Sequence, residues 1–156
     1  MKKSKNRISY LSFQVGQEIF LVSVKKVLEV LLQQAITEVP NTPETIKGVI
    51  HFRGDIIPVI NSRVKFNMKK IAEIADEVII VFEILKDNKK IRLSASADLV
   101  KDVIFVEAND ISPVPEIGLK YNTTFVTGMI KHNDKFLKIL DVDKIFSVEN
   151  SIEIQN

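Results

Sequence analysis

His51 and His132 are the only imidazoles in a chain that has no cysteine, so catalysis would have to be assembled from few parts. Neither histidine stands in an HxH or HExxH pattern, and no thiolate is available for a metal or a nucleophile. His51 alternates with Ile50 and Phe52, the position of a surface residue on a strand. Asp141-x-Asp143 offers two carboxylates to a hard cation. The same pair suits a helix start, with Asp141 as cap and Asp143 favoured in the first turn by the helix dipole. The five glycines form neither GxGxxG nor GxxxxGK[ST], which excludes nucleotide sites of those kinds. These residues predict no catalytic residue, no metal and no cofactor.

Two charges stand out because of where they lie. Glu29 is flanked by Leu28 and Val30 in an apolar run, and Arg53 sits between Phe52 and Gly54 just before Ile56-Ile57. Facing solvent separately, they would do little. Facing one cleft, they could pair with each other or with a partner. An exposed pair is worth about 0.2–1 kcal/mol, whereas breaking a desolvated one costs about 3–5 kcal/mol.

The chain has 156 residues, 46% hydrophobic and 27% charged, a globular composition that fits one ordinary domain or two very small ones. Its formal charge of +2 misleads. Lys2, Lys3, Lys5 and Arg7 sit together in a basic tail over 1–7, and setting them aside leaves 18 basic residues against 20 acidic. The body carries no basic face of the kind nucleic acids require. No run approaches the roughly 20 apolar residues of a membrane span, and no apolar h-region follows the basic start. The expected location is cytoplasmic, which removes the point of two motif matches, Asn122-Thr123-Thr124 and Arg53-Gly54-Asp55.

The elements that must hold these residues are mostly strands. Period-two alternation predicts strands at 8–15 and 18–22 joined at Gly16-Gln17. Ser23 then caps a single helical turn through Lys26, followed by a short strand at 27–32. Thr42-Pro43-Glu44 reads as the start of a short helix over 43–47, stopped by Gly48. Strands follow at 49–53 and 55–60, where Pro58 predicts an edge position or a bulge. Further strands are expected at 77–85, 90–96, 100–106, 124–131 and 135–140, with turns at Asp87-Asn88 and Asn133-Asp134. Asp141 caps a last helix through Phe146. Residues 67–75 read as helix or linker, and 147–156 as a polar tail.

The chain also repeats itself. Residues 48–66 lie over 128–146 without a gap, matching Gly48 with Gly128, Ile50 with Ile130 and Phe66 with Phe146. Val27–Val30 lies over Val100–Val103, and Ile19-x-Leu21 over Ile91-x-Leu93. Two copies of a five-strand unit predict an all-β fold of two small SH3- or OB-like barrels with short helices. Approximate units are 17–68 and 76–140, with terminal segments open to exchange. Units this small are marginal alone, so they are expected to share an interface with a functional groove between them.

The segment Gly48-Val49-Ile50-His51-Phe52-Arg53-Gly54-Asp55-Ile56-Ile57-Pro58-Val59-Ile60-Asn61-Ser62-Arg63 resembles the central signature of CheW-type chemotaxis coupling proteins. Asn41-Thr42-Pro43, Val27-x-Glu29-Val30, Asp98-x-Val100-x-Asp102-Val103 and Thr127-Gly128 fit the same family, and the likeness runs from Tyr10 to Phe146. Departures include Ser62 where leucine is usual, His51-Phe52, and the small residues Ser94, Ala95, Ser96 and Ala97. The resemblance implies one CheW-like domain over 8–146, built as two intertwined five-stranded barrels. It implies a non-enzymatic adaptor, recruited to membrane-associated receptor arrays, that couples chemoreceptor cytoplasmic tips to the CheA histidine kinase. On that implication Glu29 and Arg53, with Val24, Val27 and Val30, line a receptor groove, and Asp98, Val100 and Asp102 meet the regulatory domain of the kinase. The competing reading is an oligonucleotide-binding barrel, which needs exposed aromatics and a basic groove. Most of the nine Phe and two Tyr instead alternate with polar residues as core positions do.

Overall fold

A computed structural model describes residues 7–68, 77–114 and 125–146. The tail before Arg7, residues 69–75 of the helix-or-linker segment, the Asn122-Thr123-Thr124 match and the 147–156 tail lie outside them. The described residues form ten strands: β1 (Arg7–Val15), β2 (Glu18–Ser23), β3 (Val27–Leu32), β4 (Ile46–Phe52), β5 (Asp55–Ile60), β6 (Val78–Lys86), β7 (Lys89–Ala97), β8 (Leu99–Glu107), β9 (Val126–His132) and β10 (Lys135–Leu140). Two four-residue helices follow β5 and β10, α1 (Ser62–Lys65) and α2 (Val142–Ile145).

The strands form two five-stranded sheets, ordered β8-β1-β2-β10-β9 (sheet A) and β3-β6-β7-β5-β4 (sheet B). These sheets do not follow the expected units. Hairpin β6–β7 belongs with β3–β5, and hairpin β1–β2 belongs with β8–β10. The reason is connection length together with the edges already taken. Only Val24–Lys26, one 3-10 turn, separate β2 from β3, and Asp98 alone separates β7 from β8. To stay in its own sheet beyond β1, β3 would have to run parallel to β2. Parallel strands need a return of a dozen residues or more. A three-residue loop could close a hairpin on the other side of β2, but β10 occupies that side, as β5 does for β7. Each strand therefore continues into the other sheet, and the first hairpin of each repeat is exchanged.

The exchange makes the space between the sheets the largest core. Phe13, Val15, Phe20 and Val22 of sheet A meet Ile60, Ile80, Phe82 and Leu93 of sheet B there, with Phe66 and Phe146 from the helix ends. Phe20 stacks on Phe66 at 4.6 Å between ring centroids. Smaller clusters fill each sheet's own curl: Tyr10, Leu21, Val106 and Ile139 in A, and Ile50, Phe52, Val59 and Val81 in B. The interface that the two units share is thus a packed seam.

Local expectations fared unequally. Ser23 does cap the turn over Val24–Lys26, its Oγ accepting from Lys25 N at 3.3 Å. Residues 43–47 form no helix; Ile46 N donates to Pro43 O in a tight turn, and β4 already starts at Ile46. Pairing of Ile46 with Ile60 in the β4–β5 ladder takes up the residues that a helix would need. Pro58 is not on an edge strand, since β5 lies between β4 and β7. It is tolerated because the parallel pairing with β7 begins only at Val59. Helix α1 was missed, although the internal repeat places Asn61 on the cap Asp141. Its Oδ1 accepts from Val64 N.

Candidate functional site

Glu29 and Arg53 come together, and both belong to sheet B. Glu29 lies on edge strand β3. Arg53 is the first residue of the two-residue turn between β4 and β5, at φ 49° before Gly54 at φ 85°. That left-handed pair is the geometry of a tight hairpin turn, which suits Gly54 and places an arginine where Asn or Asp is usual. The Arg53 guanidinium is carried back over the Phe52 ring, 4.7 Å from its centroid, and Nη2 reaches Glu29 Oε1 at 3.1 Å. The side chains keep 52% and 44% of their exposure, so the pair contributes little to stability. It presents a fixed charge pattern to solvent.

The neighbouring apolar residues vary in availability. Val24, in the crossover turn, is 37% exposed. Val27 and Val30 are half-buried and lean on the core between the sheets, while Leu28 and Leu31 pack inside sheet B. Leu32, at 71% exposure, extends the row and was not singled out in the sequence. The ion pair and the valines lie on opposite faces of β3: Glu29 is opposite Val81 on the side of sheet B's own cluster, whereas Val27 and Val30 are opposite Phe82 and Ile80 on the side of the seam.

Asp98 and Val100 are engaged inside the molecule. Asp98 accepts from Arg63 Nη2 at 2.5 Å and from Gly16 N at 2.7 Å, tying helix α1, the β7–β8 crossover and the β1–β2 turn together. Val100 packs against the core between the sheets. Both therefore differ from the expected free surface residues. Asp102 is exposed, at the rim of a cavity of about 180 Å³ with Lys101, His132 and Lys135. His51 and His132 are exposed strand residues, and no group of three or more His, Cys, Asp or Glu among the described residues could hold a metal ion. Asp141 and Asp143 do helix work instead: Asp141 caps α2, and Asp143 pairs with Lys26.

Two five-stranded sheets thus share one core and carry an exposed Glu29–Arg53 pair at the edge of sheet B. A family model described as the CheW-like domain matches residues 9–150. The chain belongs to that family, whose members here are chemotaxis scaffold proteins. The chemotaxis protein CheW of Klebsiella aerogenes is 31% identical over 147 residues, covering 94% of this chain and 86% of its own length. That of Helicobacter pylori is 30% identical, covering 88% and 81%. The crystal structure of the scaffolding protein TtCheW from Thermoanaerobacter tengcongensis superposes with a TM-score of 0.80 at 33% identity, covering 96% of this chain and 99% of that one. Among the described residues, no helix is long and apolar enough to cross a membrane.

Proposed function

We propose that this protein is a non-enzymatic adaptor that couples the cytoplasmic tips of chemoreceptors to a CheA-type histidine kinase, working in receptor arrays at the membrane. The observation that carries the reading is the Glu29–Arg53 pair, set at 3.1 Å yet half exposed. A pair that adds so little to folding free energy is better explained by the contact it offers. A helical receptor tip laid along the β3 edge would set apolar anchors at helical spacing on Val24, Val27 and Val30 and reach the ion pair across that edge. The kinase regulatory domain would meet a second surface on sheet A around Asp102. Asp98 and Val100 support that surface from within.

The test is co-sedimentation of a receptor signalling fragment with the kinase, with and without this protein. Arg53→Glu places two carboxylates together and is expected to abolish ternary assembly while the thermal midpoint stays close to wild type. Undiminished capture of kinase and receptor by Arg53→Glu would overturn the reading.

A further inference from the structure

Val24–Lys26, at the head of the β3 edge, stand outside both sheets. The pairing of β2 with β1 ends at Ser23, and that of β3 with β6 begins at Val27. The turn is shaped locally: Ser23 Oγ accepts from Lys25 N at its start, and Val27 N donates to Val24 O at its end. Lys26 ties it to the rest of the molecule. Its Nζ lies 2.9 Å from Asp143 Oδ2 and 3.2 Å from Oδ1. Asp143 is anchored in turn, since it belongs to α2 and its Oδ1 accepts from Leu85 N of β6 at 3.0 Å. One carboxylate thus joins the turn to a helix of sheet A and a strand of sheet B.

Packing holds this turn weakly. None of its three residues is buried. A cavity of about 210 Å³ opens beside the ion pair, lined in part by Tyr10, Ser23, Lys26, Thr127 and Asp143. Space of that size leaves the turn room to shift once the pair is released. The other crossover is braced by its own backbone, because Asp98 N donates to Gln14 O at 2.8 Å. Three residues complete one 3-10 turn, so moving Lys26 redirects Val24.

We infer that Lys26 and Asp143 are positioning residues for the receptor contact: their ion pair holds the crossover turn so that Val24 is presented in line with Val27 to a helical partner. The role rests on the adaptor reading, in which Val24 is the first apolar anchor. A partner that meets an ordered turn spares the cost of ordering it. A pair keeping 26% and 34% side-chain exposure adds little to global stability, yet it need only outweigh the motion of one turn.

The experiment measures, by fluorescence anisotropy, the affinity of the full chain for a receptor signalling fragment and separately for the kinase regulatory domain. Lys26→Gln and Asp143→Asn should each weaken the receptor fragment about fivefold, and the double variant no further, because the two side chains act as one device. Asparagine keeps an oxygen for Leu85 N. Lys26→Arg keeps the pair and should stay within about twofold of wild type. Kinase-domain affinity should be unchanged in all of them. Amide hydrogen exchange gives a readout that needs no partner. In Lys26→Gln the Val27 N–H should exchange about tenfold faster, while the amides of the β1–β2 ladder keep their rates. Additive losses in the double variant, or a loss with Lys26→Gln alone, would mean that Lys26 touches the partner itself and would overturn the inference. So would equal losses for both partners, or an unchanged Val27 rate. Receptor affinity indifferent to Lys26→Gln, with Arg53→Glu still abolishing capture, would overturn this role and leave the adaptor reading standing. No receptor binding by the wild-type chain would overturn both.

Discussion

The β4–β5–α1 segment of sheet B and the β9–β10–α2 segment of sheet A are two versions of one construction, and they differ where contact with partners is proposed. What repeats is framework. Gly48 and Gly128 let a neighbouring segment approach, through paired bridges Thr37–Val49 and Ser112–Met129. Asn61 and Asp141 cap the short helices. The second residue of each helix, Arg63 or Asp143, pairs with the crossover that leaves the adjoining hairpin, Asp98 or Lys26. The polarity of that clamp is inverted between the halves, yet in both a carboxylate also accepts a backbone N–H from the opposite sheet, Gly16 N or Leu85 N. What does not repeat is the exposed ion pair. Arg53 aligns with Asn133. Val30 lies opposite Ile80 as Phe105 lies opposite Ser9, so Glu29 aligns with Ile104. Electrostatic bracing tolerates reversal of sign because only attraction matters; recognition by a partner does not.

The largest expected difference between the halves is at the glycines. A Cβ on Gly48 would stand 2.4 Å from Thr37 O, a backbone atom held in the bridge. On Gly128 the nearest atom, at 2.5 Å, is Ile111 Cγ2, the tip of a side chain that can turn away. Gly48→Ala should cost about 3 kcal/mol and Gly128→Ala about 1 kcal/mol in urea denaturation. Equal losses would show that the two approaches are equally rigid.

The clamps come next. Arg63 and Asp98 keep 13% and 15% side-chain exposure, whereas Lys26 and Asp143 keep 26% and 34%. Asp98→Asn should destabilise by about 2–3 kcal/mol, because Arg63 is left mostly buried with a weaker partner. Lys26→Gln should cost about 1 kcal/mol or less, the range of a partly solvated pair. The exchanged double variant Arg63→Asp/Asp98→Arg should recover part of the first loss, and no recovery would mean that packing and the Gly16 hydrogen bond outweigh the charge.

Arg53→Glu should change stability by less than about 1 kcal/mol while removing partner capture, the opposite pattern to Asp98→Asn. The smallest effect concerns pH. Burial raises the Tyr10 hydroxyl above its ordinary value of 10.0. The unfolded chain then loses this proton before the folded one, so its contribution is intact below pH 10 and declines as pH rises above it. Tyr10→Phe should flatten that part of the alkaline unfolding curve relative to wild type. An unchanged slope would show that Tyr10 is not responsible.

Much of this architecture was legible along the chain. Alternation located the strands, turn residues located the hairpins, and the overlay of 48–66 on 128–146 identified β4–β5–α1 with β9–β10–α2. The overlay of Val27–Val30 on Val100–Val103 was two residues out. The bulges in both strand pairs and the unequal crossovers shift the register, and side-chain type alone does not reveal a bulge. Glu29 and Arg53 were legible as unusual charges in apolar surroundings. Asp98 looked equally available and is not, because its partners Arg63 and Gly16 are 35 and 82 residues away.

Sequence by itself determined the all-β class, the duplication, the absence of cysteine chemistry and the two charges worth watching, since each rests on residue type and near-neighbour spacing. Tertiary structure alone decided that hairpins are exchanged between sheets, that the seam is filled, and that Arg53 reaches Glu29 while Asp98 is consumed internally. Those outcomes depend on which distant strands share an edge, and that is set by the strands already occupying the edges of β2 and β7 and by the packing of one common core.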